Sequence, residues 1–202
     1  KKPFYITTPI FYPNSKLHIG NAYAASICDI FARMARVIGR PAYFLTGADE
    51  NSLKVQDAAK KAGMDVMDYL DTQVTAAKDL FDDLHISYNQ YIRTTDANAH
   101  HPGVIEMWNR LQKAGDIYEG QYEGYYCVGC ESFKTEKDLV DGKCPIHETV
   151  AEKIQEKNYF FKLSKYQSQI REAIVSETMK VVPESRKNEI LAVLDEGLED
   201  IS

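Results

Sequence analysis

Three short apolar runs, at residues 4–8, 42–45 and 91–93, are separated by stretches of helical periodicity. That alternation constrains the fold more than anything else in the chain. Strands joined through helices build a parallel sheet covered by those helices, an α/β arrangement. Between the first two runs, residues 21–38 carry Ala22, Ala25, Cys28 or Asp29, and Ala32 at helical spacing, with Gly39 as the stop. Between the second and third, the pattern predicts helices near 52–62 and 66–84, the first ended by Gly63 and the second capped by Asp65. Thr95 or Asp96 is placed to cap a fourth helix carrying Val104, Ile105, Trp108 and Leu111. Right-handed crossovers bring the strand C-termini, and with them Tyr12 and Asp49, to one edge of the sheet.

That edge carries a motif. After the first strand the chain reads Pro9-Ile10-Phe11-Tyr12-Pro13-Asn14-Ser15-Lys16-Leu17-His18-Ile19-Gly20-Asn21. A strand that breaks into such a loop and enters a helix through His-x-Gly offers unpaired N–H groups and a positive dipole end to a phosphate. Glycine lets a nucleotide approach the backbone, and the imidazole can donate to a phosphoryl oxygen. Alone, His18 reads as a surface histidine at a helix start; its place directly after a strand and a Pro/Asn/Ser loop puts the nucleotide reading level with that one. Asp49 and Glu50 read either as an acid pair in a helix's first turn or as a site where an acid holds a substrate ammonium. Tyr12 fits core packing as well as a pocket. His100 and His101 fit a helix start, and Trp108 and the tyrosines of 118–126 fit packing. Lys54, Lys60 and Lys61 fit a solvated helix face.

The texture changes after Gly115. Residues 116–150 are rich in Tyr, Gly and charge, a composition that seldom builds a core without a staple. The staple is present as Cys127-x2-Cys130, thirteen residues, then Cys144-x2-His147. Two residues between ligands let a tight turn aim both at one ion, and two such turns complete a tetrahedron. Three thiolates and one imidazole suit zinc and leave no open position, so the spacing predicts one structural zinc ion held within about 125–150. A strand at 159–163 and helices near 165–177 and 184–197 follow. The resulting division is an α/β portion over 1–115 and a small α+β zinc-knuckle portion over 116–202.

A net charge of −6 on 202 residues argues against binding nucleic acid by bulk electrostatics. No run of 18 apolar residues occurs, so no membrane span is expected. The opening Lys1-Lys2-Pro3-Phe4 lacks the apolar stretch of a signal peptide. Cys28 stands about a hundred residues before the other three cysteines, a distribution that suits a reducing compartment, the cytosol by default.

Taken together the segments FYITTPI (4–10), LHIG (17–20), FLTGADE (44–50), YIRTT (91–95), GDIY (115–118), the cysteine knuckle and NYFF (158–161) resemble the N-terminal half of the methionyl-tRNA synthetases, class I aminoacyl-tRNA synthetases. The resemblance covers essentially the whole chain. It implies the first half of a Rossmann-type catalytic domain over 1–115 and a connective insert with the zinc knuckle over 116–202. It implies activation of methionine by ATP, with magnesium, to methionyl-adenylate, and transfer to tRNA. Ile10 and Tyr12 match the methionine pocket, and Asp49 the acid that pairs with the substrate amino group. His18, Gly20 and Asn21 match the ATP signature, with His18 and Asn21 at its catalytic positions. The family's signature ends in a second histidine, and Asn21 stands there instead. An amide donates a hydrogen bond but carries no charge, so weaker stabilisation of the leaving pyrophosphate follows. Asn51 likewise replaces a family histidine and Ser52 a glycine. The second half-sheet, the mobile Lys-Met-Ser-Lys-Ser loop and the anticodon-binding domain have no counterpart here, so this stretch by itself is not expected to charge tRNA. The same departures admit an alternative, a truncated and catalytically silent paralogue acting as a zinc-containing binding module. A relative specific for cysteine is a further alternative, and it would need an open three-ligand metal site.

Overall fold

The computed structural model describes residues 2–127, 129–130, 132–134 and 138–202, which fall into two compact units, 1–105 and 106–202. The first unit is built on β1 (Phe4–Thr7), α1 (Ile19–Val37), β2 (Ala42–Ala48), α2 (Leu53–Ala62), α3 (Val66–Asp83) and β3 (Gln90–Arg93). The strands pair in parallel in the order β1-β2-β3, with Phe4 opposite Ala42 and Leu45 opposite Gln90. The alternation in the sequence thus yields a Rossmann-like sheet with crossover helices.

The helix ends follow local chemistry. Gly63 takes the left-handed conformation (φ 67°) at the end of α2, and Asp65 accepts from Met67 N at 2.8 Å at the start of α3. α1 buries Ala25, Asp29, Ala32 and Ala35, small residues that let the helix approach the sheet closely. Phe11, Phe44, Phe81 and Ile86 complete the core, with Phe81 meeting Phe11, Tyr88 and Tyr91 edge-on. Asp29 is a buried acid made tolerable by its partners. Burial pushes its carboxyl up, but hydrogen bonds from the Ser87 backbone (2.7 Å) and hydroxyl and from Arg33 (2.6 Å) outweigh this and hold it below the usual range. At Gly47 an added Cβ would collide with the Ile92 carbonyl, so only glycine lets β2 and β3 pair here.

One capping expectation is corrected. α4 runs over His101–Lys113, later than the sequence implies. Asp96 accepts instead from Asn98 N (2.8 Å) and Ala99 N (2.9 Å) in a preceding turn, and the Thr95 hydroxyl donates to Glu50.

The second unit holds β4 (Ile117–Cys127), β5 (Ser132–Lys134), β6 (Glu152–Phe161), α5 (Gln167–Val175) and α6 (Glu184–Glu196), with a 3-10 turn at Leu163–Tyr166. Its antiparallel sheet has the order β5-β4-β6. Where the sequence suggested short runs, β4 is one eleven-residue strand paired with β6 from Ile117↔Phe161 to Tyr126↔Glu152. Gly120 makes this possible, since a Cβ there would press on the Phe160 ring, which stacks on Tyr118 at 5.5 Å. Buried Asp116 ties the strand entry to the 3-10 turn through Lys165 and Tyr166. Among the described residues no helix is long and apolar enough to cross a membrane.

Candidate functional site

Beyond β1 the chain leaves the sheet at Pro9 and Ile10 and returns at Phe11. There Phe11 N donates to the Gly47 carbonyl and Asp49 N to the Phe11 carbonyl, both at 3.0 Å. The C-terminal end of β2 and the loop after β1 are thereby stitched together, and Tyr12 and Asp49 come to the same edge, as the crossover argument requires. The following loop is held by the Tyr69 hydroxyl, which donates to the Asn14 carbonyl at 2.8 Å. Between loop and helix lies a cavity of about 230 Å³, lined by residues that include Ile10, Tyr12, Lys16, His18 and Asn21. The Lys54 ammonium sits 5.5 Å from the Tyr12 ring centroid, a cation–π contact.

His18 is the N-cap of α1. Its Nδ1 accepts from Gly20 N, and the Asn21 Oδ1 accepts from His18 N, each at 3.0 Å. This reciprocal pair satisfies two orphan N–H groups of the first turn. It also fixes the tautomer: with Nδ1 accepting, the neutral ring carries its proton on Nε2 and offers it as a donor. Asn21, its oxygen committed to the cap, retains its NH2 as donor. Gly20 has a reason that the sequence did not reveal. A Cβ there would lie 2.9 Å from His18 Cε1, so the glycine makes room for the imidazole as well as for any ligand.

Asp49 is half-buried at the end of β2 and does not line that cavity. The first-turn reading of Asp49 and Glu50 does not hold, because α2 begins at Leu53 with Ser52 as cap and has no acid in its first turn. Glu50 is instead buried and accepts from Arg93 Nε at 2.7 Å and from the Thr95 hydroxyl. Sequence reasoning missed this cluster. Its signal was the register: if Ala48 faces Arg93, continuing both chains brings Glu50 to Thr95.

In the second unit, Cys127, Cys130, Cys144 and His147 gather with their ligand atoms within 4.8 Å of one another. His147 Nδ1 lies 3.9, 3.4 and 3.8 Å from the sulfurs of Cys127, Cys130 and Cys144, and Cys130 Sγ lies 3.5 Å from Cys144 Sγ. No two of these sulfurs are bonded, and all four groups converge on a space that one metal ion could fill. The turn is a knuckle in which Cys130 N donates to Cys127 Sγ at 3.4 Å. Asp141 and Gly142, both at positive φ, turn the chain between Val140 and Lys143 and so deliver Cys144. The hydrogen bond to His147 pulls the Cys144 thiol down to about 6, toward the thiolate that a metal needs. Cys130 is pushed up, by burial first and by its sulfur neighbours second. Gly129 is the tight point, since a Cβ there would come within 2.5 Å of the His147 ring.

A family model described as tRNA synthetases class I (M) matches residues 4–153 and 135–202. The chain belongs to that family. Among curated relatives of this synthetase family, the methionine–tRNA ligases of Caldanaerobacter subterraneus subsp. tengcongensis and of Clostridium tetani are each 46% identical over all of this chain, which spans 31% of each. The chain thus covers about a third of the length of the relatives it matches. Among solved structures, Mycobacterium tuberculosis methionyl-tRNA synthetase in complex with methionyl-adenylate superposes with a TM-score of 0.92 at 37% identity, covering 100% of this chain and 40% of that one. These relatives are ligases by name and lend no support to a silent paralogue.

Proposed function

We propose that the gene product is a methionine–tRNA ligase of the cytosol, which activates methionine with ATP and magnesium to methionyl-adenylate and transfers it to tRNA. Residues 1–115 form the first half of its catalytic domain and 116–202 a connective domain. The observation that carries this reading is the match of the whole of this chain to part of the methionine-type synthetases, one of which was solved in complex with methionyl-adenylate.

The geometry is suited to that chemistry. Attack of the methionine carboxylate on the α-phosphorus puts negative charge on phosphoryl oxygens as pyrophosphate leaves. His18 Nε2–H and the Asn21 amide, at the positive end of α1, are the donors for that charge; Gly20 keeps the first turn open to phosphate. Both side chains are fixed by the reciprocal cap before any ligand arrives, so little reorganisation is needed. Ile10 and Tyr12, at 39% and 44% exposure, offer apolar surface for the methionine side chain. The Asp49 carboxylate would pair with the substrate ammonium. Asp49→Ala is therefore expected to raise the methionine Kd about tenfold or more, read by equilibrium dialysis of labelled methionine against the gene product. An unchanged Kd removes Asp49 from the pocket.

Zinc is the ion that suits the cluster. Zn–S bonds of about 2.3 Å and Zn–N bonds of about 2.0–2.1 Å give tetrahedral edges of about 3.5–3.8 Å. The three distances from His147 Nδ1 to the sulfurs and the Cys130–Cys144 separation, 3.4–3.9 Å, agree with that, and all the ligand atoms lie within 4.8 Å of one another. Cys127, Cys130, Cys144 and His147 would fill all four positions, so the ion stabilises the fold and takes no part in activation. Gly129→Ala is expected to displace His147 and weaken zinc affinity by about 10- to 100-fold in chelator competition. Unaltered affinity would separate Gly129 from the site.

A further inference from the structure

The residue after Asp49 does something that the activity alone does not explain. The Glu50 side chain is wholly buried, and its partners all come from elements beside the exit of β2. Arg93 Nε reaches it at 2.7 Å and the Thr95 hydroxyl donates to its other oxygen. The Glu50 backbone N–H donates to Thr94 Oγ1 at 2.8 Å, while Thr94 N donates to the Ala48 carbonyl at 3.3 Å. Arg93 Nη1 continues to Asp71 of α3 at 2.6 Å. Asp49 is therefore enclosed, its own N–H fixed to Phe11 on one side and its neighbour fixed to β3 on the other.

Such a cluster is a poor way to gain stability. Apolar packing of similar volume commonly does as well, because desolvating the charges offsets their attraction. Arg93 Nη2 is buried with no hydrogen-bond partner among the described residues, which adds to the cost. What charged and directional bonds supply is a defined geometry. The charge is felt locally: the Tyr91 hydroxyl is pushed up to about 12, by burial first and by Glu50 second.

We propose that Glu50 is a positioning residue which, through Arg93 and Thr95, locks the exit of β2 to the exit of β3 and sets the direction in which Asp49 presents its carboxylate. The inference rests on the methionine-binding role proposed for Asp49. It predicts that the network is specific to the amino-acid substrate and indifferent to ATP.

The test is methionine binding by equilibrium dialysis, together with ATP–pyrophosphate exchange kinetics, on the gene product and on Glu50→Gln, Thr95→Val and Thr95→Ser. Glu50→Gln keeps the shape and removes the charge. Methionine Kd and KM are expected to rise about tenfold in Glu50→Gln and about threefold in Thr95→Val, with the KM for ATP within about twofold of the parent. Thr95→Ser, which keeps the hydroxyl, is expected to restore the parental value. A part that only held the fold together would lower the active fraction without splitting the two KM values. A folded Glu50→Gln variant with a methionine Kd within about twofold of the parent overturns the proposal. If Glu50→Gln does not fold, an unchanged Kd in Thr95→Val overturns it. A parent protein that binds no methionine overturns the functional reading and this inference with it. Methionine bound by the parent and equally well by the variants overturns the inference alone.

Discussion

Replacing Cys127 with serine is expected to release the metal and to unfold the sheet of the second unit while leaving the first unit folded. The Cys127 side chain is buried where β4 ends, receives the Cys130 N–H, and lies 3.9 Å from His147 Nδ1. A serine hydroxyl does not ionise near neutral pH and is a poor match for a soft thiolate position, so one of four ligands is lost outright. Structural zinc contributes on the order of 10–16 kcal/mol in zinc-finger peptides, as large as the about 5–15 kcal/mol that hold a whole domain together. The described residues of the second unit offer only a few large fully buried side chains, Asp116, Cys127, Cys144, Ile174 and Leu194, and two of those five belong to the cysteine–histidine cluster. The core of the first unit, around Phe11, Phe44 and Phe81, uses none of them. Metal analysis should fall from about one zinc per chain to near zero. Amide exchange should lose protection across 117–161 and keep it in β1, β2 and β3. Full zinc content with normal protection in Cys127→Ser would contradict the assignment.

The second large effect is expected at His18, where two roles can be separated by the choice of substitution. As an N-cap, His18 supplies Nδ1 to Gly20 N; in the proposed role of donor, it would offer Nε2–H to a phosphoryl oxygen. Alanine removes both functions. Asparagine is among the best N-caps but lacks a donor at the reach of Nε2. His18→Ala should therefore lose about 1 kcal/mol of stability and His18→Asn much less. Both should slow methionine activation by about 100-fold or more, the magnitude typical of removing one donor to a developing oxyanion. Thermal melting and exchange kinetics on the two variants separate the roles. An active His18→Asn variant would reduce His18 to a cap.

Much of this architecture was legible in the sequence because its determinants are local. Gly63 at positive φ, the Asp65 cap and the small-residue face of α1 depend on neighbours a turn away. The gathering of Cys127, Cys130, Cys144 and His147 was legible for the same reason, since two tight turns fix two pairs and only their convergence needs the fold. What stayed hidden depends on residues brought together from afar. Glu50 looked like a helix-entry acid until the β2–β3 register put Arg93 and Thr95 beside it. Asp96 looked like a cap, but its carboxylate serves a turn that ends before α4 begins. The long β4–β6 ladder was masked by Gly120, whose use appears only with the Phe160 ring laid across it. Gly20 was credited wholly to the nucleotide, although the imidazole beside it already demands the space.

The claim on which the rest depends is that the gene product activates methionine. The direct measurement is ATP–pyrophosphate exchange by the folded, zinc-loaded gene product, with each amino acid supplied separately. The account predicts exchange with methionine and with no other amino acid, at a rate showing that Asn21 serves in place of a histidine. Exchange that depends on a different amino acid, or none with any, would contradict it.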